Sequence, residues 1–269
     1  MNKRQSALEK SMSLHVIKDK TQLTFTGQHA DFIADNLETL IENTYRVAPV
    51  RKAGHPYVLV HKGPHRLTPS AAPREKHWER AIFEKWKNND EALDPRAPFR
   101  RVVSYQVMLR DTNDDAGWGE VDLFGATKEN LPVVVELKTE RREDLLRAIV
   151  EVLAYGVAIR KAWSGIDGCP LRSQWAKTVG EAGNLVDLPL AVVAPDFYWQ
   201  AVLNDSQKKT PDQTPMASRQ SIKTLMDKMH RANYPLTFVE VTKKPQLAKS
   251  GLPDVTSAVV RELTIPTGF

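Results

Sequence analysis

Asp122, Glu136 and Lys138 are the residues of this 269-residue chain whose types and spacing best suit chemistry. They stand in two runs, Gly119-Glu120-Val121-Asp122-Leu123-Phe124 and Val133-Val134-Val135-Glu136-Leu137-Lys138, with Gly125, Asn130 and Pro132 punctuating the gap. β-Branched and aromatic residues favour strands, and Gly, Asn and Pro favour the turn between them. A hairpin symmetric about Glu129 sets Asp122 across from Glu136, with Cβ atoms roughly 5 Å apart. Lys138 follows Glu136 on the same face, about 6.6 Å along the strand. Glu120, Asp122, Glu136 and Lys138 then share one charged face. Val121, Leu123, Val133, Val135 and Leu137 form a continuous apolar surface on the other.

Adjacent carboxylates repel, and burying them is costly unless a cation or hydrogen bonds compensate. Lys138 brings one positive charge against up to three negative ones, so a divalent ion completes the set. Oxygen-only ligands select a hard ion, Mg²⁺ or Mn²⁺, over zinc. Such an ion polarises a phosphoryl oxygen and activates water, and a neighbouring lysine stabilises the charge that develops on phosphorus or orients that water. The plainer alternative is a cross-strand salt bridge between Glu120 and Lys138 on a solvated sheet edge.

The elements that must hold these residues can be read from periodicity. Residues 74–88 form an amphipathic helix with Glu79, Ile82, Phe83 and Trp86 at i, i+3, i+4 and i+7, which puts an acid on the apolar stripe. Glu79 either points at a cation or sits at the border of the stripe, solvated like Glu75 and Glu84. Residues 142–161 form a second helix, with Glu143 and Asp144 in its first turn and Arg160 and Lys161 in its last, the arrangement the helix dipole favours. Strands are expected over 98–110, 188–194 and 236–241, and a helix over 218–231 with core methionines Met226 and Met229. Residues 164–187 and 204–215 read as loops. In the N-terminal part a helix is expected over 30–43 and a strand over 57–61. The domain reading is an accessory region over 1–71, a catalytic core over 72–242 and a C-terminal extension over 243–269.

Asp, a turn, then Glu-x-Lys closing an apolar strand resembles the signature of the PD-(D/E)XK nuclease superfamily, which includes restriction endonucleases, Holliday-junction resolvases and RecB-type nuclease domains. Gly119 to Leu123 also looks like the opening of small resolvase-like bacterial members. The resemblance covers the middle of the chain. It implies a restriction endonuclease-like α/β fold: a three-layer α/β/α core with a mixed central sheet, built as helix, three strands, helix and strand. It further implies Mg²⁺-dependent (or Mn²⁺-dependent) hydrolysis of nucleic-acid phosphodiesters. Asp122, Glu136 and the backbone carbonyl of Leu137 would hold the metal, and Lys138 would assist the attacking water or the transition state. In resolvase-like members a glutamate of the first helix reaches the metal, and Glu79 matches it. Many members carry Gln-Leu-x-x-Tyr on the second helix. Here Glu151-Val152-x-x-Tyr155 stands there, so Glu151 either adds an acid near the site or faces water. The Pro in the superfamily's name is absent, since Val121 precedes Asp122.

Composition agrees. A formal charge of +5 and a pI near 9.2 suit a polyanionic partner. Arg141 and Arg142, three residues past Lys138, are the basic pair expected nearest a bound backbone. Arg100-Arg101, Lys208-Lys209 and Lys243-Lys244 read more readily as solvated surface pairs. DNA is favoured over RNA by the resemblance alone, and either a monomer or a homodimer fits. Cys169 is the sole cysteine, so no intrachain disulfide can form, as in a reducing cytoplasm. His61 and His65 flank Gly63-Pro64, which rules out the helix a zinc pair at that spacing needs. The six tryptophans, including Trp118 beside the motif, read as core. No apolar run is long enough to span a membrane, and the polar start lacks a secretion signal's hydrophobic stretch. The rival from another class is a nucleic-acid-binding or assembly protein that keeps the fold without catalysis. An enzyme of small phosphorylated substrates would need a Gly-rich phosphate loop, which the sequence lacks.

Overall fold

The computed structural model describes residues 13–19, 27–52, 54–59, 74–88, 94–110, 118–140, 144–165, 171–205, 219–243 and 252–262. A six-stranded open sheet runs in the order β1 to β6. Its strands are β1 (Arg101–Met108), β2 (Glu120–Ala126), β3 (Pro132–Leu137), β4 (Leu190–Pro195), β5 (Leu236–Lys243) and β6 (Val255–Arg261). The first three form an antiparallel meander, β3, β4 and β5 are parallel, and β6 returns antiparallel to β5. Every residue of β3 and β4 is buried. That is why both are near-continuous apolar runs: central parallel strands are covered on both faces.

Each face of the sheet has its own hydrophobic cluster. On one, helix α4 (Glu75–Trp86) packs Trp78, Ile82 and Trp86 against Leu123, Val133, Val135 and Leu137. On the other, helix α5 (Leu145–Trp163) sets Ile149, Val152 and Leu153 in the cluster that holds Phe124, Val134 and Val192. Three N-terminal helices, α1 (Leu14–Asp19), α2 (Gly27–Asp35) and α3 (Leu37–Val47), belong to this second cluster. So do residues of α6 (Leu171–Thr178), α7 (Asp196–Asp205) and α8 (Arg219–Arg231). Asp144 is the N-cap of α5 rather than part of its first turn, its side chain accepting from the Arg147 N–H at 3.2 Å. The effect on the exposed first-turn N–H groups is the same. All six tryptophans are buried, and Trp118 stacks on His15 with ring centroids 4.4 Å apart.

Several expectations need correction. The helix expected over 30–43 is two helices divided at Asn36, whose backbone leaves the helical region at φ −110 and ψ 15; its side-chain amide donates to the Phe32 carbonyl at 2.9 Å, beside its own N–H. Residues 57–59 are not a strand, because the Tyr57 N–H goes to the Gln174 side chain instead of a neighbouring strand. The stretch expected as a loop over 164–187 contains α6, anchored by buried Leu171 and Trp175, whose indole donates to the Asn130 carbonyl. Asn204 and Asp205 end α7 rather than open a loop. The C-terminal stretch supplies β6. The apolar residues of the hairpin do not form one continuous face either. Val121 lies in the α5-side cluster with Val107 and Trp118, while Leu123 and Tyr105 lie on the α4 side. Gln106, between Tyr105 and Val107, has φ +51, and this break in the extended backbone coincides with the switch. His61, His65, Arg141, Arg142, Cys169, Lys208, Lys209 and Lys244 lie outside the described residues.

Among the described residues, no helix is long and apolar enough to cross a membrane. Helix α5 approaches β4 at Gly156, where a Cβ would come within 2.7 Å of Leu190 Cδ2 and 3.5 Å of Tyr234 Cδ1. Gly156→Val therefore overpacks a buried contact and is expected to lower stability by about 1–3 kcal/mol. Urea unfolding measures it, and an unchanged midpoint would mean that the helix and sheet separate freely there.

Candidate active site

The site is built where the β2–β3 ladder ends. Strand pairing runs from Ala126 with Pro132 to Leu123 with Val135, symmetric about Glu129 as the sequence suggested. Beyond that pair the Asp122 carboxylate takes over. Its Oδ2 accepts from the Leu137 N–H at 2.7 Å, so a side chain substitutes for a strand partner. Lys138 continues the sheet on the other side, its N–H donating to the Val193 carbonyl at 3.0 Å. The site thus lies at the carboxyl end of β3, the usual place for sites in open α/β sheets.

Two groups of acids meet at this end, one from each face. From α4, Glu75 and Glu79, four residues apart on the helix, approach Asp122, and one carboxylate oxygen of each lies within 4.8 Å of the others. Glu79 is only 2 % exposed, and its Oε2 has no hydrogen-bond partner among the described residues. Burial raises its pKa to about 8, with the Glu75 carboxylate adding to the shift and a hydrogen bond with Gln106 opposing it. Asp122 is likewise pushed up, by burial first and then by Glu136, Glu75 and Glu79.

From β3 and α5 comes a second, ion-paired group. Lys138 Nζ is 2.7 Å from Glu136 Oε1 and 2.8 Å from Glu151 Oε2. Arg147 Nε donates to Glu151 Oε1 at 3.0 Å, one turn earlier on α5. Burial pushes the Glu136 pKa up to about 8; Lys138 opposes this and Glu151 adds to it. Glu151 moves the other way. Burial raises it, but Lys138, Glu136 and Arg147 together hold it below the usual carboxylate range. Of the two acids on Lys138, Glu151 is shifted toward its charged form and Glu136 toward its protonated one. Glu136 Oε2 is a second buried oxygen with no hydrogen-bond partner among the described residues. Tyr155, one turn beyond Glu151, has its hydroxyl pKa raised by burial and by Glu136 and Asp122. Gly119, which opens the motif, is left-handed at φ +65, and a Cβ there would lie 3.1 Å from the Tyr155 hydroxyl. The left-handed backbone favours glycine, and the nearby hydroxyl leaves little room for a side chain.

Asp122, Glu136, Lys138, Glu79 and Glu151 all come together, and Leu137 contributes its N–H to Asp122. The single charged face expected for Glu120, Asp122, Glu136 and Lys138 is not what forms. Asp122 joins the α4 acids, whereas Glu136 and Lys138 turn to α5. Nor is Lys138 on a solvated edge, being 7 % exposed. Glu120 is half-buried and acts on Glu79 through its charge. Arg101 is remote, at the far end of β1, where it donates to the Val179 carbonyl. Sequence reasoning missed Glu75, Gln106 and Arg147. The spacing of Glu75 to Glu79 and of Arg147 to Glu151, one helical turn each, was the available signal; nothing marked Gln106.

A divalent cation fits these residues. The donors are all oxygens, and two of them are buried with no hydrogen-bond partner among the described residues. Burial raises the pKa values of Glu79, Asp122 and Glu136, and a bound cation would favour their charged forms. In comparisons with known proteins, no family model, curated protein or solved structure matches the chain.

The raised pKa values fix a pH dependence. A buried acid that titrates near 8 when folded and near 4.5 when unfolded keeps its proton in the native state across that window. Its contribution to stability is complete below the lower value and is lost as pH rises through the upper one. The metal-free protein is therefore expected to melt at progressively lower temperature as pH rises from about 5 to about 8. Glu79→Gln, which cannot ionise, should flatten part of that slope. A level melting profile in chelator would show that these carboxyls ionise without penalty.

Proposed function

We propose that the protein is a metal-dependent nuclease of the PD-(D/E)XK kind, with a restriction endonuclease-like core, that hydrolyses phosphodiester bonds of nucleic acid, DNA before RNA. The observation that carries this reading is the pair of buried carboxylate oxygens, on Glu79 and Glu136, that have no hydrogen-bond partner among the described residues, together with the Glu75, Glu79 and Asp122 group at the strand end that also bears Lys138. The element order α4, β1, β2, β3, α5, β4 supports it too, since it follows the helix, three strands, helix and strand of that fold with α6 inserted.

Asp122, Glu136 and Glu79 would hold Mg²⁺ or Mn²⁺, with the Leu137 backbone carbonyl completing the set and Glu75 within reach. The bound ion would polarise the phosphodiester and ease ionisation of the attacking water. Lys138 places a positive charge beside the phosphorus, where negative charge grows in the transition state. The Leu137 N–H holds the Asp122 carboxylate in one orientation, so the first ligand is preset. Packing of Trp78, Ile82 and Trp86 against the sheet fixes the roll of α4 and hence the position of Glu79.

The test is cleavage of supercoiled, linear and single-stranded DNA with Mg²⁺ or Mn²⁺. Asp122→Ala should lose metal binding and cutting while DNA affinity stays largely intact. Lys138→Ala should bind metal as the wild type does and cut about 100- to 1000-fold more slowly. Undiminished cutting by either variant would place the chemistry elsewhere. Metal-independent DNA binding without cleavage of any substrate would favour a binding protein that keeps the fold.

A further inference from the structure

Among the described residues, three other than glycine have positive φ. Two are asparagines between elements, Asn130 and Asn233, the residue type that tolerates left-handed backbone. The third is Gln106, at φ +51 inside β1. Backbone strain of this kind clusters at active sites and persists only where its surroundings hold it. The strand register shows what the departure achieves. Tyr105 pairs with Leu123 and Val107 with Val121, so Gln106 lies across from Asp122. Tyr105 packs on the α4 side, its ring centroid 5.1 Å from that of Phe83. Regular alternation would turn Gln106 to the opposite face, towards α5. Instead its side chain hydrogen-bonds to Glu79 of α4.

Glu79 Oε2 has no hydrogen-bond partner among the described residues, so the bond with Gln106 falls on the other oxygen. That bond favours the charged form of Glu79, as an amide N–H donated to a carboxylate does. An amide is also neutral. It can fix a carboxylate without bringing a positive charge that would compete with a cation, and hydrogen bonds to ligating carboxylates are a regular means of orienting them.

We propose that Gln106 is the positioning residue for Glu79: its side chain, brought to the α4 side by left-handed backbone across from Asp122, holds one carboxylate oxygen so that the other is presented to the divalent cation. This rests on the metal site of the nuclease reading. Gln106 acts through Glu79, and the bond can be removed while the backbone conformation is kept.

The experiment uses the full chain as wild type, Gln106→Asn, Gln106→Gly, Glu79→Ala, and Gln106→Asn combined with Glu79→Ala. Asparagine and glycine both accept left-handed backbone, but asparagine falls one methylene short of Glu79 and glycine has no side chain. Mn²⁺ binding is measured by calorimetry, and thermal unfolding is followed in chelator. Gln106→Asn and Gln106→Gly should each weaken Mn²⁺ binding about 10- to 100-fold, the usual effect of losing a partner of a metal ligand. Their melting temperatures in chelator should stay close to that of the wild type, which loss of a purely structural residue would lower. When Glu79 is already alanine, Gln106→Asn should change Mn²⁺ affinity hardly at all, because the residue acts through that carboxylate. Undiminished Mn²⁺ affinity in both Gln106 variants, or an equal loss from Gln106→Asn with and without Glu79, overturns the proposal. A wild type that binds no Mn²⁺ removes the metal site and this inference with it. If binding behaves as expected but the wild type cuts no DNA, the positioning role stands and the nuclease reading falls.

Discussion

Everything at the functional end of the sheet follows from holding carboxyl groups away from water. Glu79 and Glu136 are buried and Asp122 is partly so, at the edge of a core made of Val, Leu, Ile and Trp. The effective penalty for desolvating an ion in a protein is several kcal/mol. The structure meets it in two ways. On the α5 side cations are supplied, with Lys138 between Glu136 and Glu151 and Arg147 behind Glu151. On the α4 side burial and neighbouring acids raise the pKa values of Glu79 and Asp122, with Lys76 opposing the shift at Glu79 and the Leu137 N–H opposing it at Asp122.

Packing enforces this arrangement. Glu79 is flanked on α4 by Trp78 and Ile82, both buried against the sheet, so the helix cannot rotate the carboxylate outward without exposing its own aromatic face. Asp122 is bound to the backbone of β3 in place of a ladder partner. The acids are therefore held by elements that are themselves anchored by large apolar contacts.

Much of this was legible in the sequence. The hairpin register about Glu129 followed from the turn residues, and Glu79 betrayed itself by interrupting an apolar stripe. The central strands β3, β4 and β5 could be read from runs of Val, Leu and Phe. What the sequence concealed was tertiary. Alternation along β2 implied one charged face, but Gln106 at positive φ marks a break in β1 beside it, and the residues beyond pack to the other side. Period-two reasoning has no way to register such a change, which depends on the backbone of a neighbouring strand. Likewise the backbone of Asn36 turns out of the helical region inside a helical pattern, and α6 is stabilised by a tryptophan that reaches the β2–β3 turn. Short helices of that kind depend on contacts far along the chain.

The close approach at Gly156 has a consequence beyond packing. Glu151 lies five residues before it on α5, about 7.5 Å along the helix axis. A Cβ at position 156 would meet a Leu190 methyl at 2.7 Å, so that side chain or the helix would have to move. The missing Cβ thus acts as a notch in which α5 seats against β4. The helix that carries Glu151 to Lys138 is docked through an atom that is not there.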